Sequence, residues 1–203
     1  MRTADDWAII LAECGVKPQT AARWSEVFAS VITDNTFSAG DKDVAPFLGQ
    51  VLHETGMLEH LQENLNYSAE RLMAVWPRRF PTLESAQPYA RNPQALAEKV
   101  YGGRMGNNEP GEGARYFGRG IPQITGKDNY RLVGMKLGID LLTFPDLLCD
   151  PETALKAGVL WWEGHIPDSA LDDDTRVTRL VNGGTVGLQD RVALTNRAEQ
   201  ALA

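Results

Sequence analysis

Apolar residues recur at three- and four-residue intervals along almost the whole chain, which is the spacing of one face of an α-helix. The alternating pattern of a β-strand is hard to find, and at most a short hairpin fits near residues 104–124. The periodicity therefore predicts an all-α fold. Helices are predicted near residues 7–14, 18–31, 43–55, 68–76, 93–101, 127–137, 151–163, 175–181 and 187–201.

Polar and glycine residues mark where these helices begin and end. Asp43 and Ser68 are predicted N-caps, and Pro93 suits the first turn of a helix that ends at Gly102. Irregular structure is predicted for residues 38–41, 102–120 and 182–187. The second of these stretches contains seven glycines, and a loop of that length in a compact domain is usually functional.

The composition is that of one globular domain, with 203 residues, 43% hydrophobic and 23% charged. The net charge of −7 argues against nucleic acid as a partner, because phosphate binding needs a dense positive surface. Residues 66–135 are the exception, with ten basic and six acidic side chains. This positive stretch suits an anionic polymer, although solvated arginines on helix faces explain it about as well.

The N-terminal residues carry no signal-peptide pattern, and no apolar run is long enough for a membrane span. Only Cys14 and Cys149 are present, which excludes a disulfide framework. We expect synthesis in the cytoplasm, so that any action outside depends on release by another protein.

Glu54 is the first candidate catalytic residue. It ends an apolar helix in the sequence His53-Glu54-Thr55-Gly56, where Phe47, Val51, Leu52 and Leu58 are expected to surround it. A carboxylic acid in apolar surroundings resists ionisation, as a general acid must, while the alternative is an ordinary surface glutamate.

A zinc site of the metalloprotease kind is not predicted. The position four residues after His53 is Met57 rather than a second histidine. The chain has only three histidines. We therefore expect no metal and no cofactor.

Glu63 is the candidate second carboxylate. Nine residues of unbroken helix would place it opposite Glu54, whereas a bend at Gly56 or at 64–67 would let it return. Two carboxyl groups about 6.5–9.5 Å apart suit an inverting glycosidase. Glu59 competes for this role, and spacing alone does not exclude it.

The segment 116–130 is the most unusual in the chain. Gly118 and Gly120 permit close approach of the backbone to a substrate, and Gln123, Thr125 and Asn129 offer short neutral hydrogen-bonding groups. Such groups can hold sugar hydroxyls, amides or a catalytic water. The alternative is a plain turn in which Thr125 caps the next helix.

Five short sequence motifs, which follow one another along the chain, resemble the motifs of a known family in the same order. Together they resemble glycoside hydrolase family 19, and in it the phage and prophage endolysin branch, which is related to the plant chitinases. The blocks are His53 to Gly56, Glu63 to Ser68, Tyr101 to Asn107, Gly118 to Gly126, and Asn182 to Gly184 with Arg191.

The resemblance implies a lysozyme-like, mainly helical fold of two lobes around a deep cleft, as a single catalytic domain over 1–203 without a separate cell-wall-binding module. It implies inverting hydrolysis of a β-1,4 bond next to an N-acetyl sugar. By position, Glu54 matches the general acid, Glu63 the general base and Thr125 the residue that holds the attacking water. The expected substrate-binding residues are Gln123, Asn129, Tyr67, Arg119, Asn182 and Arg191.

Two departures from the family pattern affect these expectations. Ile121 stands before Pro122, where the family has proline directly after the second glycine, and this puts the placement of Gln123 in doubt. The chain also lacks the disulfides and extra loops of the plant enzymes. This favours the endolysin branch.

The leading hypothesis is therefore a monomeric endolysin that cuts peptidoglycan and lyses a bacterium after release from the host cytoplasm, by resemblance through a holin-type pore. A chitinase is the alternative with the same chemistry. A lytic transglycosylase would need one acid and leave an anhydro sugar. A sugar-binding module without turnover is the hypothesis from a non-enzyme class.

Overall fold

The computed structural model describes all residues, Met1–Ala203. Its helices confirm the all-α prediction. No hairpin forms near 104–124, where Arg119 makes isolated bridges to Gln62 and Ile124. The α-helices are α1 (Ala4–Glu13), α2 (Pro18–Val31), α3 (Asp41–Glu54), α4 (Ala69–Val75), α5 (Leu83–Ala86), α6 (Pro93–Tyr101), α7 (Glu112–Arg115), α8 (Lys127–Leu137), α9 (Pro151–His165), α10 (Asp174–Asn182) and α11 (Leu188–Leu202). Three 3-10 helices cover Gln87–Tyr89, Pro145–Cys149 and Asp168–Ala170.

The nine helices predicted from periodicity are all present, within a few residues at each end. The four-residue helices α5 and α7 were not predicted, because a single turn is too short to show a period. None of the helices combines the length and the apolar character that crossing a bilayer requires.

The chain divides into two compact units. The first unit contains Met1–Leu61, Gly120–Pro122 and Leu148–Ala203, and the second contains Gln62–Arg119 and Gln123–Leu147. Each unit has its own cluster of buried apolar residues.

The core of the first unit is rich in aromatic rings. Trp7 packs on Phe28 with ring centroids 5.0 Å apart, and Phe47 meets the edge of Trp162 at 5.5 Å. Burying one such side chain contributes about 1.5–3 kcal/mol relative to leaving it exposed. The Phe47–Trp162 contact joins α3, the helix that ends at Glu54, to α9, and α3 also packs on α10 and α11.

Asp43 does not cap α3, contrary to the prediction. The helix begins two residues earlier, with Gly40 at the N-cap and a φ of 64°. The Asp43 carboxylate is buried and accepts hydrogen bonds from the Trp162 indole at 2.7 Å and the Ala39 amide at 3.0 Å. A buried carboxylate needs such donors, so Asp43 ties α3 to α9.

The second unit is built on α4 to α8. Its core contains Leu65, Leu72, Phe80 and Leu96, and Tyr67 and Phe117 pack against it. The helix starts predicted near Ser68 and Pro93 are confirmed here. Ser68 caps α4 and Asn92 caps α6, each by accepting a backbone hydrogen bond three residues on.

Candidate active site

Helix α3 stops at Glu54. The Thr55 hydroxyl donates to the Val51 carbonyl at 2.7 Å and accepts from the Leu58 amide at 2.8 Å. Gly56, Met57 and Leu58 then have φ values of 56°, 66° and 65°, which are incompatible with a continuing helix. The predicted bend at Gly56 is confirmed, and Glu63 lies in a non-helical segment.

Arg191 of α11 determines the setting of Glu54. The arginine side chain is 2% exposed, and its two terminal nitrogens donate to Gln50 at 2.6 Å and to Glu54 Oε1. The Glu54 side chain is 36% exposed. The prediction that Glu54 is enclosed by apolar side chains is therefore wrong in part, because an ion pair occupies one of its oxygens.

That Arg191 binds substrate stays a prediction. Its guanidinium is buried, and its contacts in the structure are with Gln50 and Glu54. Gln50 was missed by the sequence reasoning. It lies one helical turn before Glu54 on α3, and that spacing was the available signal.

A small apolar recess adjoins Glu54 in the first unit. Phe47 and Val51 line it, as expected from their spacing, whereas Leu52 and Leu58 are buried without contributing to it. Glu54 and Gln50 are the polar members of its lining. The others are Ile121, Pro122, Gly158, Trp161, Trp162 and Val181.

His53 and Glu59, the neighbours of Glu54 in sequence, have other partners. His53 Nδ1 is 2.6 Å from an Asp190 carboxylate oxygen. Glu59 accepts from the Thr20 hydroxyl at 2.7 Å, and this bond, with the charge of Lys17, lowers the pKa of the glutamate. Glu59 is therefore engaged at the surface and does not line the recess.

Glu63, in the second unit, is half-buried and held by two donors. Its Oε1 accepts from the Gly118 amide at 2.6 Å, and its Oε2 accepts from the Tyr101 hydroxyl at 2.8 Å. Burial, and second to it the hydrogen bond to Glu63, raise the pKa of Tyr101 well above its ordinary range. The Tyr101 hydroxyl therefore keeps its proton and remains a hydrogen-bond donor. Tyr101 was not predicted, although it opens the third of the matching blocks.

Gly118 brings Glu63 and Gln123 to the same place. A Cβ at Gly118 would lie 3.0 Å from Glu63 Oε1 and 3.1 Å from Gln123 Oε1, so both side chains use the space that glycine leaves. The Ile121-Pro122 departure therefore does not move Gln123 away from Glu63. Gln123 itself is exposed.

Thr125 and Asn129 follow in the same unit. The Thr125 hydroxyl is 3.4 Å from the Gln123 carbonyl, and the Asn129 amide donates to the Thr125 carbonyl at 2.7 Å. Thr125 does not cap α8, whose N-cap is Gly126. Its hydroxyl makes only that long contact to the protein.

Arg119, a predicted substrate ligand, is buried among protein partners, and its role in substrate binding stays a prediction. Its side chain is 7% exposed and pairs with Asp146 at 2.9 Å. It also donates to the Tyr130 hydroxyl at 3.0 Å and lies over the Phe117 ring at 3.9 Å. These contacts leave its guanidinium within the second unit.

The other two predicted ligands are more accessible. Tyr67 is half-buried, with its ring 5.3 Å from that of Trp76. Asn182 is exposed at the end of α10, where Gly183 follows with a φ of 72°. Their role in substrate binding stays a prediction.

The predicted residues thus form two groups. Glu54 and Arg191 are joined in the first unit, which also carries Asn182. Glu63, Gln123, Thr125 and Asn129 are neighbours in the second unit, which also carries Tyr67 and Arg119.

The family description for chitinase class I, glycoside hydrolase family 19, matches residues 19–170. This is most of the chain. The protein belongs to glycoside hydrolase family 19. As a family 19 member it is an enzyme that hydrolyses glycosidic bonds, and the family acts on N-acetylhexosamine polysaccharides.

Relatives of this family 19 enzyme occur in bacteria and plants. A glycosyl hydrolase family 19 domain-containing protein of Haemophilus influenzae is 37% identical over 74% of this chain and 75% of its own. The acidic endochitinase of Petunia hybrida is 28% identical over 72% of this chain, which spans 54% of the Petunia protein.

Solved structures share the fold of this family 19 enzyme. Chitinase C from Streptomyces griseus aligns with a TM-score of 0.60 at 20% identity, covering 98% of this chain and 91% of the other. Another bacterial family 19 chitinase aligns with a TM-score of 0.52 at 23% identity, covering 98% and 85%. The likeness extends over the whole helical chain, and it confirms the predicted fold class.

Proposed function

We propose that this enzyme is an endolysin that hydrolyses the β-1,4 glycosidic bonds of bacterial peptidoglycan with inversion at the anomeric carbon. Glu54 is the general acid and Glu63 the general base. The observation that carries the proposal is that hydrogen bonds from neighbouring groups hold both glutamates at defined oxygens.

Glu54 is suited to deliver a proton. Arg191 binds Oε1, and Oε2 is left to carry the proton toward the leaving glycosidic oxygen. When the proton has gone, Glu54 is negative, and the buried Arg191 guanidinium beside it stabilises that charge. The acid is thus oriented before the reaction and stabilised after it.

Glu63 is suited to activate water. Both of its protein partners donate hydrogen bonds, the arrangement that fits an ionised carboxylate, which can only accept. Thr125, with a hydroxyl that makes only a long contact, and Gln123, with an exposed amide, are the polar groups at hand to hold the water. The water attacks the anomeric carbon while Glu63 takes its proton.

The recess beside Glu54 supports an N-acetylated substrate. Its lining is apolar except for Gln50 and Glu54, and Gln50 is occupied by Arg191 and by Thr178. The small apolar group that such polysaccharides carry close to each glycosidic bond is the acetamido methyl. Placing it in the recess would remove it from water beside the proton donor.

Two observations favour peptidoglycan as the polymer. Both cysteines are free thiols, unlike those of the disulfide-bonded plant enzymes. The basic stretch 66–135 suits an anionic wall.

We further propose that the enzyme acts as a monomer and reaches the wall after release from the host cytoplasm. Sedimentation would test the monomeric state. A lysis assay with and without a pore-forming partner would test the release.

The test is digestion of purified peptidoglycan by Glu54→Gln and Glu63→Gln, with mass spectrometry of the products. Both changes remove the acid or base and keep the shape, so we expect turnover to fall at least a hundredfold. Glu59→Gln is the matched control, with expected activity near that of the unchanged enzyme. Full activity in either catalytic variant would remove that residue from its role, and products lighter by one water would indicate a transglycosylase.

A chitinase is the second candidate, favoured by the names of the plant and Streptomyces relatives. The same acid and base would then act on a polymer of N-acetylglucosamine. A side-by-side assay of chitin oligomers and purified peptidoglycan decides between them. Higher kcat/KM on the chitin oligomers would overturn the endolysin proposal and leave the two glutamates in place.

A further inference from the structure

Helices α3 and α11 approach each other closely in the first unit. At Gly49 of α3 an added Cβ would lie 2.1 Å from the Thr195 hydroxyl and 3.0 Å from the Arg191 carbonyl. Only a glycine permits this separation. The contact fixes the two helices against each other one and a half turns before Glu54.

Two side-chain contacts join the same helices at the end of α3. His53 and Glu54 are consecutive on α3, Asp190 and Arg191 are consecutive on α11, and His53 meets Asp190 while Glu54 meets Arg191. The two contacts run in opposite directions, because α3 supplies the donor in the first and the acceptor in the second. A shift of one helix along the other would break both at once.

The His53 ring also fills a prepared space. A Cβ on Gly187, the N-cap of α11, would lie 2.3 Å from His53 Cε1, so the ring lies against the bare glycine backbone. The histidine side chain is 24% exposed, whereas its partner Asp190 is 64% exposed. Glycine and carboxylate together hold the imidazole at the start of α11.

We infer that His53 is a positioning residue for the general acid, acting with Asp190. It fixes the first turn of α11, and so places Arg191 where the guanidinium orients Glu54. The charged groups around it are Asp190, Glu54 and Arg191. The inference rests on the proposed role of Glu54.

The need for such a residue follows from the position of Glu54. It is the last residue of α3, and Arg191 is in the first turn of α11, so both lie at helix ends, where helices fray. An oriented acid requires that neither end moves. The His53–Asp190 pair and Gly187 supply that restraint.

Two substitutions of His53 distinguish a positioning role from bulk packing. Since a carboxylate only accepts, His53 Nδ1 must donate to Asp190. The Asn side-chain nitrogen is attached to Cγ, as Nδ1 is, while that of Gln is one bond further out. We expect His53→Asn to keep most of the activity, and His53→Gln to lower kcat on the order of tenfold with KM unchanged. Equal kcat losses in the two variants would overturn the inference.

Glu152→Gln, in the surface pair Lys156–Glu152, is the control for loss of an ion pair and should leave kcat unchanged. The double variant His53→Gln/Glu54→Gln tests the route of the effect. If His53 acts through Glu54, the double variant should have the same kcat as Glu54→Gln alone. A double variant whose kcat loss is the product of the two single losses would overturn the inference. Full activity in Glu54→Gln alone would instead overturn the proposed function.

Discussion

Among single residues, the candidate catalytic groups depend on atoms contributed by glycines and by distant side chains. Glu63 is oriented by the amide of Gly118 and the hydroxyl of Tyr101, which are 55 and 38 residues away in sequence. Glu54 is oriented by Arg191, 137 residues away. The glutamates could be selected from the sequence, but the groups that hold them could not, because hydrogen-bond partners across such separations leave no spacing to detect.

Gly118→Ala tests the space that Glu63 and Gln123 share. The new methyl would lie at 3.0–3.1 Å from both side-chain oxygens, so one of them must move by a few tenths of an ångström. We expect kcat to fall between about tenfold and a hundredfold. The free energy of unfolding should change by less than about 1 kcal/mol, because flexible side-chain ends can give way.

Gly164→Ala is the matched control for this substitution. Gly164 is exposed near the end of α9, and an added Cβ would meet no atom within 4 Å. This change should leave kcat unaltered and raise stability by about 0.5–1 kcal/mol. Unaltered turnover in Gly118→Ala, measured beside this control, would show that the position of Glu63 is not critical.

At the level of helices, periodicity and capping residues predicted nine elements and not their partners. The approach of α3 to α11 depends on Gly49, which looks like a simple interruption of an apolar pattern in the sequence. Asp43 shows the same difficulty. Aspartate is a common N-cap residue, yet Asp43 lies inside α3. Its carboxylate is buried against α9, where it accepts a hydrogen bond from the Trp162 indole.

Gly49→Ala should separate α3 from α11. Its Cβ would collide with the Thr195 hydroxyl and with backbone atoms of α11, which cannot rotate away. We expect a loss of about 1–3 kcal/mol in unfolding free energy, measured by denaturant titration. Since Arg191 moves with α11, kcat should fall as well. Wild-type stability in this variant would contradict the close packing, and Gly164→Ala again serves as the control.

For the whole molecule, the composition indicated one domain, and the resemblance implied two lobes within it. The structure has two compact units, each built from more than one segment of the chain. Composition could not show this division, since both units have ordinary apolar cores. Stability is a property at this scale, and it should depend on pH through groups buried in those cores.

Alkaline pH should destabilise the protein through Cys14. Burial raises the pKa of this thiol from 9.0 to about 11, so the unfolded chain releases the proton first as pH rises. The resulting stabilisation is complete below pH 9 and is lost between about pH 9 and 11, on the order of 2 kcal/mol. Tyr101, with a raised pKa as well, adds to the loss above pH 10.

Cys14→Ala should flatten this dependence. The free energy of unfolding of the unchanged protein and of Cys14→Ala would be measured by denaturant titration from pH 7 to 11. The loss caused by the smaller side chain, about 1 kcal/mol, is measured at pH 7 and subtracted at every other pH. The remaining curves should diverge above pH 9. Parallel curves would show that the thiol does not ionise differently in the folded and unfolded states.

The sequence by itself determined the helices, most of their ends and the family, and it singled out the two glutamates as candidates. These depend on local spacing, on capping groups and on short motifs, all of which are written in consecutive residues. Only the tertiary structure decided that Arg191 is buried beside Glu54, that Tyr101 and Gly118 hold Glu63, and that Arg119 is buried and paired with Asp146. The environment of a side chain is set by residues far away in the chain, and local pattern contains no information about which of them will arrive there.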